Sequence, residues 1–375
     1  MRTISPVPRV PIDSLPPGLR ARVQALAPQS RIVSAELLGT GDGRASGETR
    51  KALGYGRPIR LLLEGPGGCD DLVFHTALPD AFGHDRRSDR VAEMLLAWDT
   101  FGAIPSHVGA VDVGVIGEGG ELVSLARTGE AYLVTRWAQG EPYAVELRAI
   151  AREGSASDAE LERVRVLARL LGEIHAAPGS HAGAYVRAWR DLVGSGEGIA
   201  GIVDGYGHGG LEVPGASRAR LHDIERACLL ARQRHAQRVE RLTRTHGDFH
   251  PFNILLDGDR VALLDTSRGS EGEPADDVAC LAINFLFFGI EHRDRWASGL
   301  GRAWEVFFEA YAEARPDPEL YGLIAPFFAW RALVVTSPAW YPALSGADRD
   351  RLLTFVERAL GAARFDPAMG REAMR

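Results

Sequence analysis

The sequence has little lysine and little cysteine. Of its 43 basic residues, only Lys51 is a lysine and the other 42 are arginines, so any role that needs a lysine ammonium has one candidate. The three cysteines, Cys69, Cys228 and Cys280, lie far apart and show no C-x-x-C spacing. This pattern argues against a disulfide framework or a structural zinc site. We therefore expect reduced core thiols in a cytoplasmic protein.

The chain also lacks a basic excess and long apolar runs. Its net charge of −7 argues against a general nucleic-acid binder, which needs positive charge to neutralise phosphates. No window approaches the roughly 18 uninterrupted apolar residues of a membrane span, so no membrane partner is expected. With 45% hydrophobic and 25% charged residues, the composition is typical of a soluble globular protein, and a small-molecule partner is favoured.

Three regions differ in composition and periodicity. Residues 1–27 form a proline-rich arm, where five prolines in the first 17 residues predict an extended backbone, and folding is expected to begin near Pro28. Residues 28–139 combine strand-like apolar runs and glycine-rich turns with one helical stretch at residues 85–101. Residues 140–375 show the helical period. The sequence therefore predicts an α+β protein in which a small antiparallel-sheet lobe precedes a larger helical lobe.

The most informative segment is a polar loop that leads into a predicted β-hairpin. The loop, HGDFHPFN, spans residues 246–253, and the second strand of the hairpin ends at Asp265. The spacing of Asp248, Asn253 and Asp265 suits phosphoryl transfer. One carboxylate can orient an attacking hydroxyl, while an amide oxygen and a second carboxylate offer hard ligands to Mg²⁺. The metal would neutralise charge on the β- and γ-phosphates of a nucleotide.

This loop resembles the catalytic loop of the aminoglycoside phosphotransferase and choline kinase-like superfamily, whose members are small-molecule relatives of protein kinases. The segment GEPADDVA at residues 272–279 is similar to a second motif of that family. The resemblance implies a two-lobed protein kinase-like fold with the nucleotide between the lobes and the acceptor in the helical lobe. It also implies roles for five residues: Asp248 as catalytic base, Asn253 and Asp265 as metal ligands, and His246 and Asp277 as supports of the loop.

The activity implied by the resemblance is phosphorylation of a hydroxyl on a small molecule, with ATP or GTP as donor and Mg²⁺ as cofactor. An alternative is a pseudokinase-like protein that binds a nucleotide or a partner without turnover. A metal hydrolase is a third possibility, because His246, Asp248 and His250 alternate along an extended segment and could point to one side. That third alternative explains neither Asn253 nor the segment at residues 272–279.

The expected phosphate-binding cation departs from the family pattern. The strand at residues 71–76 resembles the one that usually carries a lysine, yet His75 stands at the expected place. A neutral imidazole is a poor clamp for phosphates. Lys51 lies instead in a glycine-rich turn that would cover the phosphates. We hypothesise that Lys51 replaces the missing cation from the glycine-rich side, alone or with Arg50, Arg57 or Arg60. A solvated lysine in a turn is the alternative, and whether Lys51 or an arginine takes this role stays open.

Two more segments resemble nucleotide-binding parts of the family. Glu93, on the predicted helix at residues 85–101, resembles the glutamate that braces the phosphate-binding lysine; on periodicity alone it is a solvated side chain. Residues 132–140 resemble the strand and hinge that join the lobes; taken alone, the segment fits an apolar strand that ends in a turn equally well. There the backbone near Arg136, Trp137 and Ala138 would bond an adenine.

Arg268 stands where the family more often has other residues, shortly after Asp265. It could contact a phosphate or an acidic substrate, or form a structural ion pair with Glu271, Glu273 or Asp276. The sequence leaves open the identity of the hydroxylated acceptor, the choice of ATP or GTP, and the oligomeric state.

Overall fold

The computed structural model of the chain describes residues 8–38, 58–66, 71–80, 82–207, 212–266 and 268–375. Lys51 with its glycine-rich turn, and Cys69, lie outside the described residues, so their roles stay predictions. The chain divides into two compact units between Val134 and Thr135.

The first unit is built on a three-stranded antiparallel sheet in the order β1-β2-β3, and β4 pairs with β5 in a separate antiparallel pair. Leu61 and Leu63 alternate along β2 and face a small core shared with Ala35 of β1. The elements of this unit are α1 (Pro17–Leu26), β1 (Arg31–Leu37), β2 (Ile59–Glu64), β3 (Leu72–Phe74), α2 (Arg87–Phe101), β4 (Gly114–Ile116) and β5 (Leu122–Ser124), with a 3-10 helix at Ile12–Ser14.

Regular structure begins earlier in the chain than the proline content predicts. Helix α1 has Pro17 in its first turn, where the missing backbone N–H of proline costs no helical hydrogen bond. Leu19 and Val23 of this helix are buried in the small core of the first unit. The expectation of an extended arm over residues 1–27 is therefore wrong for this helix, because a proline at a first-turn position starts a helix and does not prevent one.

The second unit is mostly helical, and its core includes the fully buried side chains of Trp189, Phe285, Trp304 and Phe328. Its helices are α3 (Tyr143–Glu153), α4 (Asp158–Ala176), α5 (Ala182–Gly194), α6 (Ile199–Asp204), α7 (Arg218–His235), α8 (Ala275–Gly289), α9 (Arg293–Trp296), α10 (Leu300–Ala314), α11 (Leu320–Leu323), α12 (Ala325–Val335), α13 (Gly346–Gly361) and α14 (Ala368–Ala373), with 3-10 helices at Val239–Arg241 and Ile290–His292. Its strands are β6 (Glu141–Pro142), β7 (Thr243–Arg244), β8 (Ile254–Asp257), β9 (Arg260–Leu263) and β10 (Glu271–Gly272).

Short antiparallel pairs frame the polar loop of residues 246–253. Strand β8 lies between β6 and β9, and the β8–β9 hairpin turns at Gly258 with a φ of +60°. Strands β7 and β10 pair Arg244 with Glu271. Backbone pairing between β7 and β10 therefore joins the two ends of the segment that contains the loop and the hairpin.

The α+β class and its order of elements, with small antiparallel sheets preceding helices, are confirmed. The strand predicted at the start of residues 132–140 does not form: Tyr132, Leu133 and Val134 are exposed, and none of the strands in the described segments pairs with them. Cys228 and Cys280 are free, buried thiols. Among the described residues, no helix is both long enough and apolar enough to cross a membrane.

Candidate active site

Asp248 lies at the centre of the polar loop, and each of its two carboxylate oxygens accepts a hydrogen bond from a different residue. Oδ2 accepts a hydrogen bond of 3.1 Å from Asn253 Nδ2, and Oδ1 accepts one of 2.6 Å from Arg331 Nη1. About a quarter of the side chain stays exposed. A substrate hydroxyl can therefore reach a carboxylate whose orientation is fixed by two neighbours.

The backbone before Asp248 requires glycine. Gly247 has a φ of +81°, in the left-handed region that disfavours residues with a Cβ atom. A Cβ atom at this position would lie 3.0 Å from the carbonyl oxygen of Gly269 and 3.5 Å from Cβ of Arg268. The Arg268–Gly269 segment thus packs directly against the loop.

Asp277, in the first turn of α8, holds the start of the loop. Its carboxylate accepts hydrogen bonds from the backbone N–H groups of His246, at 2.7 Å, and Gly247, at 2.8 Å. His175 Nε2 lies 3.0 Å from the same carboxylate, and His175 Nδ1 lies 2.8 Å from the Tyr311 hydroxyl. Burial disfavours the charged form, yet the hydrogen bonds and charges of His175 and His246 outweigh it and lower the pKa of Asp277. The loop therefore rests on a fully buried, ionised carboxylate.

Arg331 is a residue of the site that the sequence analysis did not identify. It lies on α12, and its guanidinium bridges the Asp248 carboxylate, the Gly247 carbonyl at 2.8 Å and the Asp276 carboxylate at 2.6 Å. The available signal was one arginine inside an apolar helix, APFFAWRALVV, because an arginine in such a place needs buried partners.

The pKa values of the two carboxylates that bind Arg331 shift in opposite directions. Burial raises the pKa of Asp276 to about 6, although the charge of Arg331 opposes this. At Asp248, burial acts in the same direction, but the charges of Arg331 and then Arg268 outweigh it and lower the pKa. Asp248 is therefore an ionised carboxylate at neutral pH.

The two histidines of the loop face different surroundings. His246 Nδ1 accepts the backbone N–H of Asp248 at 3.3 Å, and its ring packs edge-on against Phe249. His250 stacks on Phe252 at a ring distance of 5.2 Å, and burial lowers the pKa of His250 to about 4. Within the described part of the chain, no three His, Cys, Asp or Glu side chains are arranged to hold a metal. His246, Asp248 and His250 therefore do not form the ligand set of the hydrolase alternative.

Asn253 and Asp265 are brought to the same end of the β8–β9 hairpin. The backbone N–H of Leu264 donates to the carbonyl of Asn253 at 2.8 Å, which places Asp265 one residue beyond the last pairing. Asp265 is exposed and has a φ of +57°, so the chain turns sharply there. The side-chain amide nitrogen of Asn253 donates to Asp248, so the amide oxygen of Asn253 points away from Asp248.

The residues predicted to bind a nucleotide are distributed over both units. In the first unit, His75 is exposed and follows β3, one residue after the strand ends, while Glu93 of α2 lies 3.5 Å from His84 Nε2. In the second unit, Arg136, Trp137 and Ala138 lie outside any helix or strand, and Trp137 is strongly exposed. The side chain that faces Glu93 is thus a histidine from its own unit.

Arg268 does not form the ion pairs proposed from the sequence. Glu271 accepts from the backbone of Ser180, Glu273 binds Arg241, and Asp276 binds Arg331. The carboxylate beside Arg268 is that of Glu197, 3.6 Å from its Nε.

The guanidinium of Arg268 lies 4.2 Å from the ring centre of Trp330, and that of Arg331 lies 4.1 Å from the same ring. The indole N–H of Trp330 donates to the backbone carbonyl of Glu197 at 2.8 Å. Arg268 therefore belongs to the cluster around the polar loop.

The model of the phosphotransferase enzyme family (APH) matches residues 110–316, which is more than half of the chain. A comparison with curated protein sequences finds no match.

Several solved structures are similar to the chain. A glucosamine kinase (crystal form A) is 17% identical, with 56% of this chain and 57% of that chain covered and a TM-score of 0.37. A spectinomycin phosphotransferase, APH(9)-Ia, in complex with ADP and spectinomycin is 10% identical, with 95% and 96% covered and a TM-score of 0.35. A choline/ethanolamine kinase family protein from Mesorhizobium loti is 13% identical, with 84% and 89% covered and a TM-score of 0.32. The chain spans 57% and 58% of the length of two glucosamine kinase chains that it matches.

Proposed function

The chain belongs to the phosphotransferase enzyme family, and we propose that it transfers the γ-phosphate of ATP or GTP to a hydroxyl group of a small molecule. The observation that carries this proposal is the loop geometry. An ionised, partly exposed Asp248 lies between the amide of Asn253 and the guanidinium of Arg331, on a turn held by Asp277. Phosphoryl transfer needs a positioned carboxylate of this kind and little covalent chemistry from the protein.

In this proposal Asp248 orients the acceptor hydroxyl and receives its proton. A carboxylate with a lowered pKa is a weak base, so its main contribution is to hold the oxygen in line with the phosphate while the proton leaves late. Arg331 and Asn253 fix the two carboxylate oxygens and thereby set the direction of approach. The buried bonds of Asp277 to the backbone of His246 and Gly247 keep the turn in place.

Asn253 and Asp265 fit a magnesium ion by the chemistry of their donor atoms. Both offer hard oxygens, and both lie at one end of the β8–β9 hairpin. Mg²⁺ in nucleotide enzymes takes one or two protein ligands and fills its other positions with water and phosphate oxygens. When bound, the ion neutralises charge on the transferred phosphate.

The family resemblance assigns nucleotide-binding roles to residues of each unit. We propose that the backbone near Arg136, Trp137 and Ala138 bonds the base. In the first unit, Glu93 lies on α2 and His75 directly follows β3, and the resemblance assigns both to the phosphate-binding part. The cation for those phosphates would come from Lys51, because a neutral imidazole at His75 supplies no charge.

Replacement of Asp248 by asparagine tests the proposal. We expect Asp248→Asn to reduce transfer of labelled γ-phosphate by about 10²- to 10⁴-fold, since it removes the proton acceptor, while nucleotide affinity changes by less than about twofold. Asp259→Asn, in the exposed turn between β8 and β9, is the matched control and should keep full activity. Wild-type rates of transfer in Asp248→Asn would contradict the assigned role.

A nucleotide- or partner-binding protein without turnover is the second candidate, and the position of His75 favours it. A single-turnover assay with labelled γ-phosphate and a broad set of hydroxylated compounds separates the two candidates. Clear nucleotide binding without any transfer or hydrolysis would support the binding protein and contradict the kinase.

A further inference from the structure

Arg268 is a cation beside the catalytic loop whose hydrogen-bonding capacity is not used up. Its Nη1 is buried and has no hydrogen-bond partner in the described part of the chain. Its Nε faces Glu197 at 3.6 Å, and the Glu197 side chain is 77% exposed, so this pair is weakened by water. A buried guanidinium N–H without an acceptor is costly. About a quarter of the Arg268 side chain is exposed, so an anionic ligand can approach the guanidinium from solvent.

Arg331, which packs on the same Trp330 ring, has acceptors for the donors of its guanidinium. Its Nη1 donates to Asp248, its Nη2 donates to Gly247 and Asp276, and its Nε donates to Asp276. Its charge is balanced by two carboxylates at hydrogen-bond distance. Of the two guanidiniums on Trp330, Arg268 is therefore the one with donors to offer a ligand.

The position of Arg268 relative to Asp248 indicates which reactant it faces. Asp248 Oδ2 is directed to Asn253, on the side of the proposed metal ligands, and Oδ1 is directed to Arg331 on α12. Arg268 shares the Trp330 ring with Arg331 and faces Glu197, which precedes α6. Arg268 therefore lies with Arg331 on the Trp330 side of the loop, toward α6 and α12.

We propose that the acceptor carries an anionic group, a carboxylate or a phosphate ester, which binds the guanidinium of Arg268 while the acceptor hydroxyl lies at Asp248. This inference rests on the proposed function, because it names the substrate class of that same site. A guanidinium pairs with both kinds of anion through parallel hydrogen bonds, and such bonds are stronger than those to neutral groups.

The surrounding charges make the cation necessary for such an acceptor. Three carboxylates, those of Asp248, Asp276 and Asp277, lie around the loop, and Arg331 offsets only part of their charge. An anion that approached without a further cation would be repelled. Arg268 supplies that cation, and its charge also helps to keep Asp248 ionised by lowering the pKa of that carboxyl.

The experiment uses the full chain and matched pairs of probes that differ in one anionic group. Glycerate is compared with glycerol for the carboxylate, and glucose 6-phosphate is compared with glucose for the phosphate ester. The variants are Arg268→Gln, Arg268→Lys and the control Arg226→Gln, whose arginine pairs with Asp223 on the surface of α7. Binding is measured by calorimetry with ADP present, and kcat and KM are measured with ATP.

We expect the anionic member of at least one pair to bind wild type about tenfold or more tightly than its neutral partner. Arg268→Gln should weaken that binding by about 10- to 100-fold, the range for one charge-assisted interaction, and leave the neutral partner within about twofold. Arg268→Lys should restore part of the loss, and Arg226→Gln should change nothing.

Three results would overturn the inference. The first is equal binding of both members of every pair to wild type. The second is an Arg268→Gln variant that weakens neutral and anionic probes alike. The third is a loss confined to the KM for ATP, which would assign Arg268 to the donor phosphates. An anion preference that depends on Arg268 in a protein without phosphoryl transfer would instead refute the proposed function alone.

Discussion

Arg331→Met tests how far the site depends on one buried guanidinium. The side chain is about 5% exposed and makes two hydrogen bonds to Asp276, one to Asp248 and one to the Gly247 carbonyl. Methionine keeps the length but leaves two carboxylates without their cation. Removing one partner of a buried ion pair costs about 3–5 kcal/mol. We therefore expect the second unit to lose about 3–5 kcal/mol of unfolding free energy at pH 8.

The loss of unfolding free energy in Arg331→Met should be smaller at acidic pH, and the direction of this change follows from the pKa of Asp276. Burial already raises this pKa to about 6, and the charge of Arg331 holds it from rising further. Without Arg331 the folded-state pKa lies above 6, so the variant loses stability relative to wild type as the pH rises through that range. At pH 5.5 Asp276 is largely protonated in the variant, so the part of the cost that comes from its unpaired charge disappears, while the part from Asp248 remains.

Urea denaturation followed by far-UV circular dichroism measures this effect at pH 5.5 and pH 8. Arg226→Met, which breaks an exposed pair with Asp223, is the control and should cost less than about 1 kcal/mol. Adding Asp276→Asn to Arg331→Met should recover part of the loss, because one of the two unpaired carboxylates is then neutral. A loss below about 1 kcal/mol, or one that is equal at both pH values, would refute the reasoning.

Two further predictions concern the loop itself. The charges of Arg331 and Arg268 lower the pKa of Asp248 against the effect of burial. We therefore expect kcat/KM to stay constant from pH 8 down to about pH 5 and to fall only at pH values below the ordinary pKa of an aspartate. A half-maximum near pH 6.5 in a pH–rate profile would contradict this. Asp277→Ala leaves the backbone N–H groups of His246 and Gly247 without acceptors. We expect it to lower the free energy of unfolding, measured by urea denaturation, by about 2–5 kcal/mol. An effect no larger than that of the control Asp259→Ala would argue against the role of Asp277.

The sequence could predict the loop because its residues are close together in the chain. Asp248, Asn253 and Asp265 lie within one loop and hairpin, so spacing alone indicates which side chains meet. Arg331 and His175 reach the same place from helices far along the chain. Helical periodicity predicts which residues are buried, but it does not predict which buried polar side chains become partners.

Two local predictions failed for identifiable physical reasons. Residues 132–140 have a strand-like apolar pattern, but a strand forms only when another strand supplies hydrogen bonds, and no strand among the described residues does so. The prolines before residue 18 suggested an extended arm, yet Pro17 occupies a first-turn position and α1 follows it. In both cases the composition of the segment was read correctly, but its secondary structure depended on hydrogen-bond partners and positions that composition does not reveal.

The guanidinium of Arg331 is shared between the polar loop of residues 246–253 and α8, and this sharing restricts how the protein can evolve. Loss of the arginine alone leaves Asp248 and Asp276 unpaired, and loss of Asp276 alone removes the bonds that orient the arginine toward Asp248. Every single-step route therefore passes through a less stable or misaligned site. A lineage that abandons this arrangement must exchange both residues together, so Asp276 and Arg331 form one epistatic unit that supports Asp248.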